Sequence, residues 1–261
     1  MSSLGKAIRL RRIFQGDKAL VVAMDHGVSS GPVAGLEDVR KAVASVAKGG
    51  ATAVVLHKGV VRQAKDYLGD GLGLILHLSA STSLSTHANR KVQVTQVDEA
   101  ISYGADGISV HVNLGGSDDE VMLADLGSTA AACDRFGMPL LAMMYPRGEN
   151  IKNPYDVEVV KHVARVGAEL GADVVKTVYT GAPETFKEVV RGTPVPVIVA
   201  GGPKMDSERT VLEMIAGALA GGAAGVSIGR NVFQAQDPVG MTRAMARMIF
   251  DGSTVDEVYR G

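Results

Sequence analysis

The sequence predicts a single (βα)8 TIM barrel with a short N-terminal helix, and three observations carry that prediction. Eight short apolar runs alternate with amphipathic helical stretches along the chain. A Gly-Ala mark recurs ahead of four of them: "GGATAVVLHKG" from 49, "YGADGISVHVN" from 103, "LGADVVKTVYT" from 170 and "GGAAGVSIGRN" from 221. The length, 261 residues, suits one barrel, so residues 1–261 are read as a single domain.

The N-terminal helix carries "RLRR" at 9–12, read as its solvated face. The first strand follows in "KALVVAMDHG" (18–27), the second after the first Gly-Ala, and the third in "GLILHLS" (73–79). The fourth follows the second Gly-Ala, and the fifth is "MPLLAMMYPRG" (138–148). The sixth follows the third Gly-Ala, the seventh is "VPVIVAGG" (195–202), and the eighth follows the last Gly-Ala. Each Gly-Ala run is too short for a helix and reads as a buried parallel strand. The stretch before it is helical. In 156–170, Val157, Val160, Val163, Ala164, Gly167 and Leu170 recur at helical spacing. The glycine stands where a helix end needs a left-handed residue. Gly-Ala falls on the even-numbered strands, a pattern that internal duplication would leave. A doubly wound open sheet is the alternative, but no G-x-G-x-x-G follows the first strand.

Composition narrows the function. With 46% hydrophobic and 21% charged residues, a large core is available. A net charge of −1 argues against a nucleic-acid binder with a broad basic face. Cys133 is the single cysteine, which excludes an internal disulfide, and among helical alanines it reads as a small core residue. No run approaches the roughly 18 apolar residues of a membrane span, and the N-terminus lacks a secretory apolar core. A reducing cytoplasm is the expectation.

In a barrel, function gathers at the C-terminal strand ends. Those ends carry Asp25-His26-Gly27, His57-Lys58, His111 with Asn113, Tyr145-Pro146-Arg147, Lys176, Gly201-Gly202-Pro203-Lys204 and Gly229-Arg230-Asn231. Glycines let backbone N–H groups approach an anion, and residues 230–232 open a helix. Gly201, Gly202, Gly229 and Arg230 are therefore the candidate phosphate site. Lys176 directly follows Val174 and Val175. Burial disfavours an ammonium there, and a neutral amine attacks ketones to form a Schiff base. The iminium is an electron sink that lets a neighbouring carbon–carbon bond break. Tyr145 on the adjacent strand is placed to donate a proton and Asp25 to take one.

"MDHG", "YPRG", "VKTVYTG", "AGGPK" and "GRNVF", in this order, resemble motifs of the archaeal-type class I aldolases. The resemblance runs from about residue 5 to 250. It implies that Lys176 is the Schiff-base lysine, Tyr145 the proton donor and Asp25 the acid–base carboxylate. "LHKG", "HLSAST", "SVHVN" and "LAMMYPRG" are similar to the branch that makes 2-amino-3,7-dideoxy-D-threo-hept-6-ulosonate on an alternative route to aromatic amino acids. That branch implies transfer of a fragment of 6-deoxy-5-ketofructose 1-phosphate to aspartate semialdehyde, with no cofactor and no metal. It also implies a homo-oligomer, often a decamer. Lys204, His26, Arg147, Lys58 and His111 are further candidate binding residues. For the acceptor, strand 2 offers His57 and Lys58 and strand 4 offers His111, with Lys58 the expected counter-charge to its carboxylate. The fructose-bisphosphate branch has Trp where this chain has Met143, so sugar-bisphosphate cleavage is the second reading. A non-catalytic phosphosugar-binding protein is the third.

Overall fold

The computed structural model describes residues 3–69 and 71–259. Ten strands run in chain order: β1 (Ala19–Ala23), β2 (Ala53–Leu56), β3 (Gly73–His77), β4 (Ser79–Ala80), β5 (Val92–Gln93), β6 (Gly107–Leu114), β7 (Leu140–Pro146), β8 (Val174–Thr177), β9 (Val197–Ala200) and β10 (Gly225–Ile228). Eight of them close a barrel in the order β1-β10-β9-β8-β7-β6-β3-β2, and every pairing in it is parallel. The expected TIM barrel is the observed fold. β4 and β5 are extra: they form a small antiparallel hairpin after β3.

The helices are α1 (Leu4–Ile13), α2 (His26–Ser30), α3 (Val39–Gly49), α4 (Val61–Ala64), α5 (Val97–Ser102), α6 (Asp119–Phe136), α7 (Val157–Glu169), α8 (Pro183–Gly192), α9 (Glu208–Ala220), α10 (Arg230–Phe233), α11 (Pro238–Phe250) and α12 (Val255–Val258). α1 closes the N-terminal end of the barrel. Ile13 enters the barrel interior and is buried. Burying such a side chain stabilises by about 1.5–3 kcal/mol. Arg9 and Arg12, expected only to be solvated, also fasten α1 underneath. Arg9 donates to the Gly137 carbonyl at 3.1 Å, and Arg12 pairs with Asp106 at 2.9 Å.

The Gly-Ala marks have a common geometry. Gly50, Gly104, Gly171 and Gly222 all have positive φ, between 77° and 102°, and the alanine after each is buried. Three of the four marks also tie their strand to the barrel strand before it. The next residue accepts a hydrogen bond from the backbone N–H of a neighbouring strand. Leu20 donates to Thr52 at 3.0 Å, Leu74 to Asp106 at 3.0 Å, and Leu140 to Asp173 at 2.8 Å. Leu170 departs from expectation. α7 ends at Glu169, so Leu170 is its cap and lies 37% exposed.

Side chains alternate across each strand with period two, and this places the site. In β1, Val21 and Ala23 join the barrel interior while Leu20 and Val22 face the helices. In β8, Val174 is interior and Val175 faces the helices, so Lys176 points inward. The same alternation turns Ser109, His111 and Asn113 of β6 inward, because Ile108, Val110 and Val112 pack outward. Cys133 is buried on α6 as expected, and burial pushes its thiol up to about 12.

Candidate active site

The C-terminal end of the barrel encloses a cavity of about 350 Å³. Asp25, His26, His111, Tyr145, Arg147, Lys176, Gly201, Gly202, Gly229 and Arg230 all line it, so ten of the twelve sequence candidates converge. His57, His77 and Lys91 line it as well.

Lys176 is 5% exposed. Its Nζ meets the Met143 sulfur at 4.0 Å, and no carboxylate oxygen lies within ion-pair distance among the described residues. Register accounts for the contact, since Met143 and Lys176 are paired across β7 and β8. Tyr145 follows two residues along β7, on the same face. It is 7% exposed, and its hydroxyl bonds to no described residue. The Arg147 guanidinium lies 4.8 Å from the Tyr145 ring centroid, and the His111 ring lies at 4.9 Å.

Asp25 precedes α2 in the N-cap position, yet its side chain makes no capping bond. Its carboxylate instead faces imidazoles: His77 Nε2 at 3.7 Å and His26 Nδ1 at 3.8 Å. Burial by itself raises a carboxyl group's pKa. Lys176, and the imidazoles of His77, His26 and His57 whenever they are protonated, oppose it, and Asp25 is held well below its ordinary range. Asp25 is therefore a carboxylate at neutral pH, in the state required to accept a proton.

Sequence reasoning missed His77. It is 3% exposed, and its Nδ1 shares a 2.8 Å hydrogen bond with Ser109 Oγ, itself buried. Burial pushes His77 down to about 4, against the pull of Asp25. In the tautomer with hydrogen on Nε2, the neutral ring turns that N–H toward Asp25 and accepts from Ser109 at Nδ1; in the other, Nδ1–H donates to Ser109. Inward alternation from Ile75 was the available signal. His26 and His57 are also pushed down, chiefly by burial. His111 is lowered further, by burial and then by Lys91, Arg147 and His77. Its Nε2 shares a 2.9 Å hydrogen bond with Asn113 Oδ1.

The glycine-rich loops after β9 and β10 meet at one edge of the cavity. A Cβ on Gly229 would lie 2.5 Å from the Ala23 carbonyl oxygen and from the His26 ring, so only glycine fits there. Gly202 has φ +66°, which turns the chain. Arg230 Nη2 donates to the Gly202 carbonyl at 3.0 Å, and its buried Nε–H has no partner among the described residues. Asn231, fully buried, pins the two loops together. Its Nδ2 donates to Gly201 and Pro203 carbonyls at 2.9 and 2.8 Å, and its Oδ1 accepts from Met205 N at 2.8 Å.

Two candidates do not reach the cavity. Lys58 is corrected by the alternation of β2: Val55 and His57 face in, so Lys58 faces out. Its Nζ is held by Glu99 at 2.9 Å and the Val94 carbonyl at 3.0 Å. Lys204 is exposed on the loop after β9, beyond the turn that Gly202 and Asn231 fix.

Comparison with known proteins agrees with this geometry. The DeoC/LacD family aldolase profile matches residues 19–235. A Streptomyces griseus protein named 2-amino-4,5-dihydroxy-6-oxo-7-(phosphonooxy)heptanoate synthase is 41% identical over 95% of this chain and 92% of its own. An Archaeoglobus fulgidus protein named 2-amino-3,7-dideoxy-D-threo-hept-6-ulosonate synthase 1 is 42% identical over 98% of this chain and 95% of its own. Among solved structures, a Schiff-base-forming fructose-1,6-bisphosphate aldolase superposes with a TM-score of 0.86 at 31% identity, covering 94% of this chain and all of that one. An archaeal fructose-1,6-bisphosphate aldolase, solved with its catalytic lysine bound to a carbinolamine intermediate, gives 0.85 at 31% identity over 94% of this chain and 99% of that one. With a closed eightfold barrel, a buried lysine facing its cavity and a family match over most of its length, the chain belongs to the DeoC/LacD family of aldolases.

Proposed function

We propose that this protein is a lysine Schiff-base transaldolase that builds a seven-carbon 2-amino acid from a phosphorylated ketose and aspartate 4-semialdehyde. The observation that carries the reading is Lys176, buried with no carboxylate within ion-pair distance among the described residues, in a cavity that Tyr145 and the Asp25 carboxylate also line. The product names of the relatives support the substrate class. Each describes a 2-amino acid with a ketone at carbon 6 and hydroxyls at carbons 4 and 5. Breaking the bond between carbons 4 and 5 of such a β-hydroxy ketone gives aspartate 4-semialdehyde and a three-carbon hydroxy ketone. The two products differ at carbon 7, phosphorylated in one and deoxy in the other.

The donor is 6-deoxy-5-ketofructose 1-phosphate, and its phosphate lies against Gly201, Gly202, Gly229 and Arg230. Lys176 attacks the carbon 5 ketone, Tyr145 gives a proton as water leaves, and an iminium forms. Asp25 takes the proton of the carbon 3 hydroxyl as the bond between carbons 3 and 4 breaks. The bonding electrons move into the iminium and give an enamine. The phosphorylated three-carbon aldehyde departs. The enamine carbon then attacks the aldehyde of aspartate semialdehyde, the new alkoxide takes a proton, and hydrolysis frees Lys176. The electron sink is the iminium itself.

The second reading, fructose-bisphosphate cleavage, is favoured by the similarity to the two aldolase structures. Met143, where that branch has Trp, opposes it. Among the described residues no helix is long and apolar enough to cross a membrane. A single domain over 1–261, read from the chain length and the eight strand–helix units, a cytoplasmic location, read from the composition, and a homo-oligomer, implied by the family resemblance, complete the reading. Turnover of the ketose phosphate with and without aspartate semialdehyde tests it. Product that forms only with both substrates supports transfer. Cleavage of fructose 1,6-bisphosphate at a higher kcat/KM than that of the deoxyketose would replace it.

A further inference from the structure

The cavity carries more positive charge than the chemistry so far uses. Among the described residues that line it the one carboxylate is Asp25, against Lys176, Arg230, Lys91 and Arg147. Lys176 and Arg230 have roles already. Lys91 and Arg147 do not, and neither has a carboxylate within ion-pair distance among the described residues.

These two cations share one region. Lys91 ends the excursion 81–91, which the β4–β5 hairpin folds back beside the barrel mouth. Its Nζ donates to Ser81 Oγ. Arg147 directly follows β7, its guanidinium over the Tyr145 ring. Round the barrel the order is β10, β9, β8, β7, β6, β3. The glycine loops therefore lie on one side of Lys176, and Arg147, His111 and Lys91 lie on the other. A ligand bonded to Lys176 is flanked by two cationic ends.

We infer that Lys91 and Arg147 form a carboxylate subsite that receives the carboxyl end of the acceptor aldehyde, the role expected of Lys58 but closed to it by Glu99. The inference rests on the transaldolase reading and adds to it the residue that selects the acceptor. Electrostatics supports the pairing. Burial and then the Arg147 guanidinium hold Lys91 below its ordinary value, so two cations repel each other across the mouth. An anion between them relieves that repulsion, whereas an uncharged aldehyde does not. His111, neutral through burial and the same two cations, offers a polar edge without competing charge.

The test compares two four-carbon aldehydes, succinate semialdehyde, which has the carboxylate, and butanal, which lacks it, beside aspartate 4-semialdehyde. In the wild-type protein, kcat/KM for succinate semialdehyde should exceed that for butanal by about 10-fold or more. Equal use of the two aldehydes overturns the subsite without recourse to any variant. Lys91→Met should lower kcat/KM for both carboxylate aldehydes by about 10-fold or more and leave butanal within about twofold, with Lys91→Arg restoring part of the loss. A loss shared equally by butanal, or no loss with any aldehyde, overturns the assignment. Borohydride trapping of the ketose phosphate reads out the underlying reaction separately. A wild-type protein that traps donor but ignores the acceptor's carboxylate sinks the subsite alone. One that traps nothing sinks the Schiff-base reading and the subsite with it.

Discussion

Acidification from pH 7 to 5 should destabilise the fold by about 2 kcal/mol through His77 alone. His77 is 3% exposed and is held down to about 4, against an ordinary value of 6.5. A histidine whose folded value is depressed is neutral in the fold where the unfolded chain already binds a proton. Stability is therefore full above the unfolded value and falls as pH drops toward the folded one. The whole shift amounts to roughly 3 kcal/mol, of which about 2 is lost by pH 5. His26, His57 and His111 are shifted in the same direction and add to the wild-type loss. Asp25 does not contribute in this window. Its stabilisation is present above 3.8 and is lost only as pH falls further. Urea unfolding of the wild type and His77→Gln at both pH values isolates the effect, because glutamine does not titrate. The variant's loss between pH 7 and 5 should be smaller by about 2 kcal/mol, a midpoint difference of about 0.7 M at a slope of about 3 kcal/mol/M. Equal losses in the two proteins would refute the argument that a neutral, buried His77 faces Asp25.

Other expectations concern single residues. Tyr145→Phe keeps the buried ring and removes the proton, so turnover should fall about 10²–10⁴-fold while the melting temperature changes little; full activity would remove the hydroxyl from the reaction. Arg230→Ala should raise KM for phosphorylated donors about 10-fold or more and spare unphosphorylated analogues, since a charge-assisted contact is lost. Lys58→Met should leave KM for aspartate semialdehyde unchanged. It removes a half-exposed ion pair with Glu99, worth about 0.2–1 kcal/mol by urea unfolding, and the hydrogen bond to the Val94 carbonyl.

The barrel was legible because its signals are local. Alternating strand and helix patterns, and glycines that end helices with positive φ, are set by neighbours in the chain. The same held for Lys176, whose ammonium directly follows two valines on a short strand. Strand ends are where reading by position went astray. Lys58 and His57 are adjacent in sequence, but the pleat sends one out to Glu99 and the other into the cavity. His77 was hidden inside an apolar run, "GLILHLS", and only its alternation with Ile75 marks it as inward. Lys91 lies at the end of "SASTSLSTHANRK", a polar stretch with no periodicity. Its place in the same cavity as Arg147 depends on the β4–β5 hairpin, a pairing of separate segments that no local pattern predicts.

The central claim is that Lys176 is the covalent catalyst, and borohydride reduction in the presence of the ketose phosphate tests it most directly. Digestion and mass spectrometry should find the reduced donor fragment on the peptide that carries "VVKTVYTG", attached at Lys176. The adduct should vanish in Lys176→Met while that variant keeps its fold. An adduct on Lys91, Lys58 or Lys204, or turnover retained by Lys176→Met, would contradict the account.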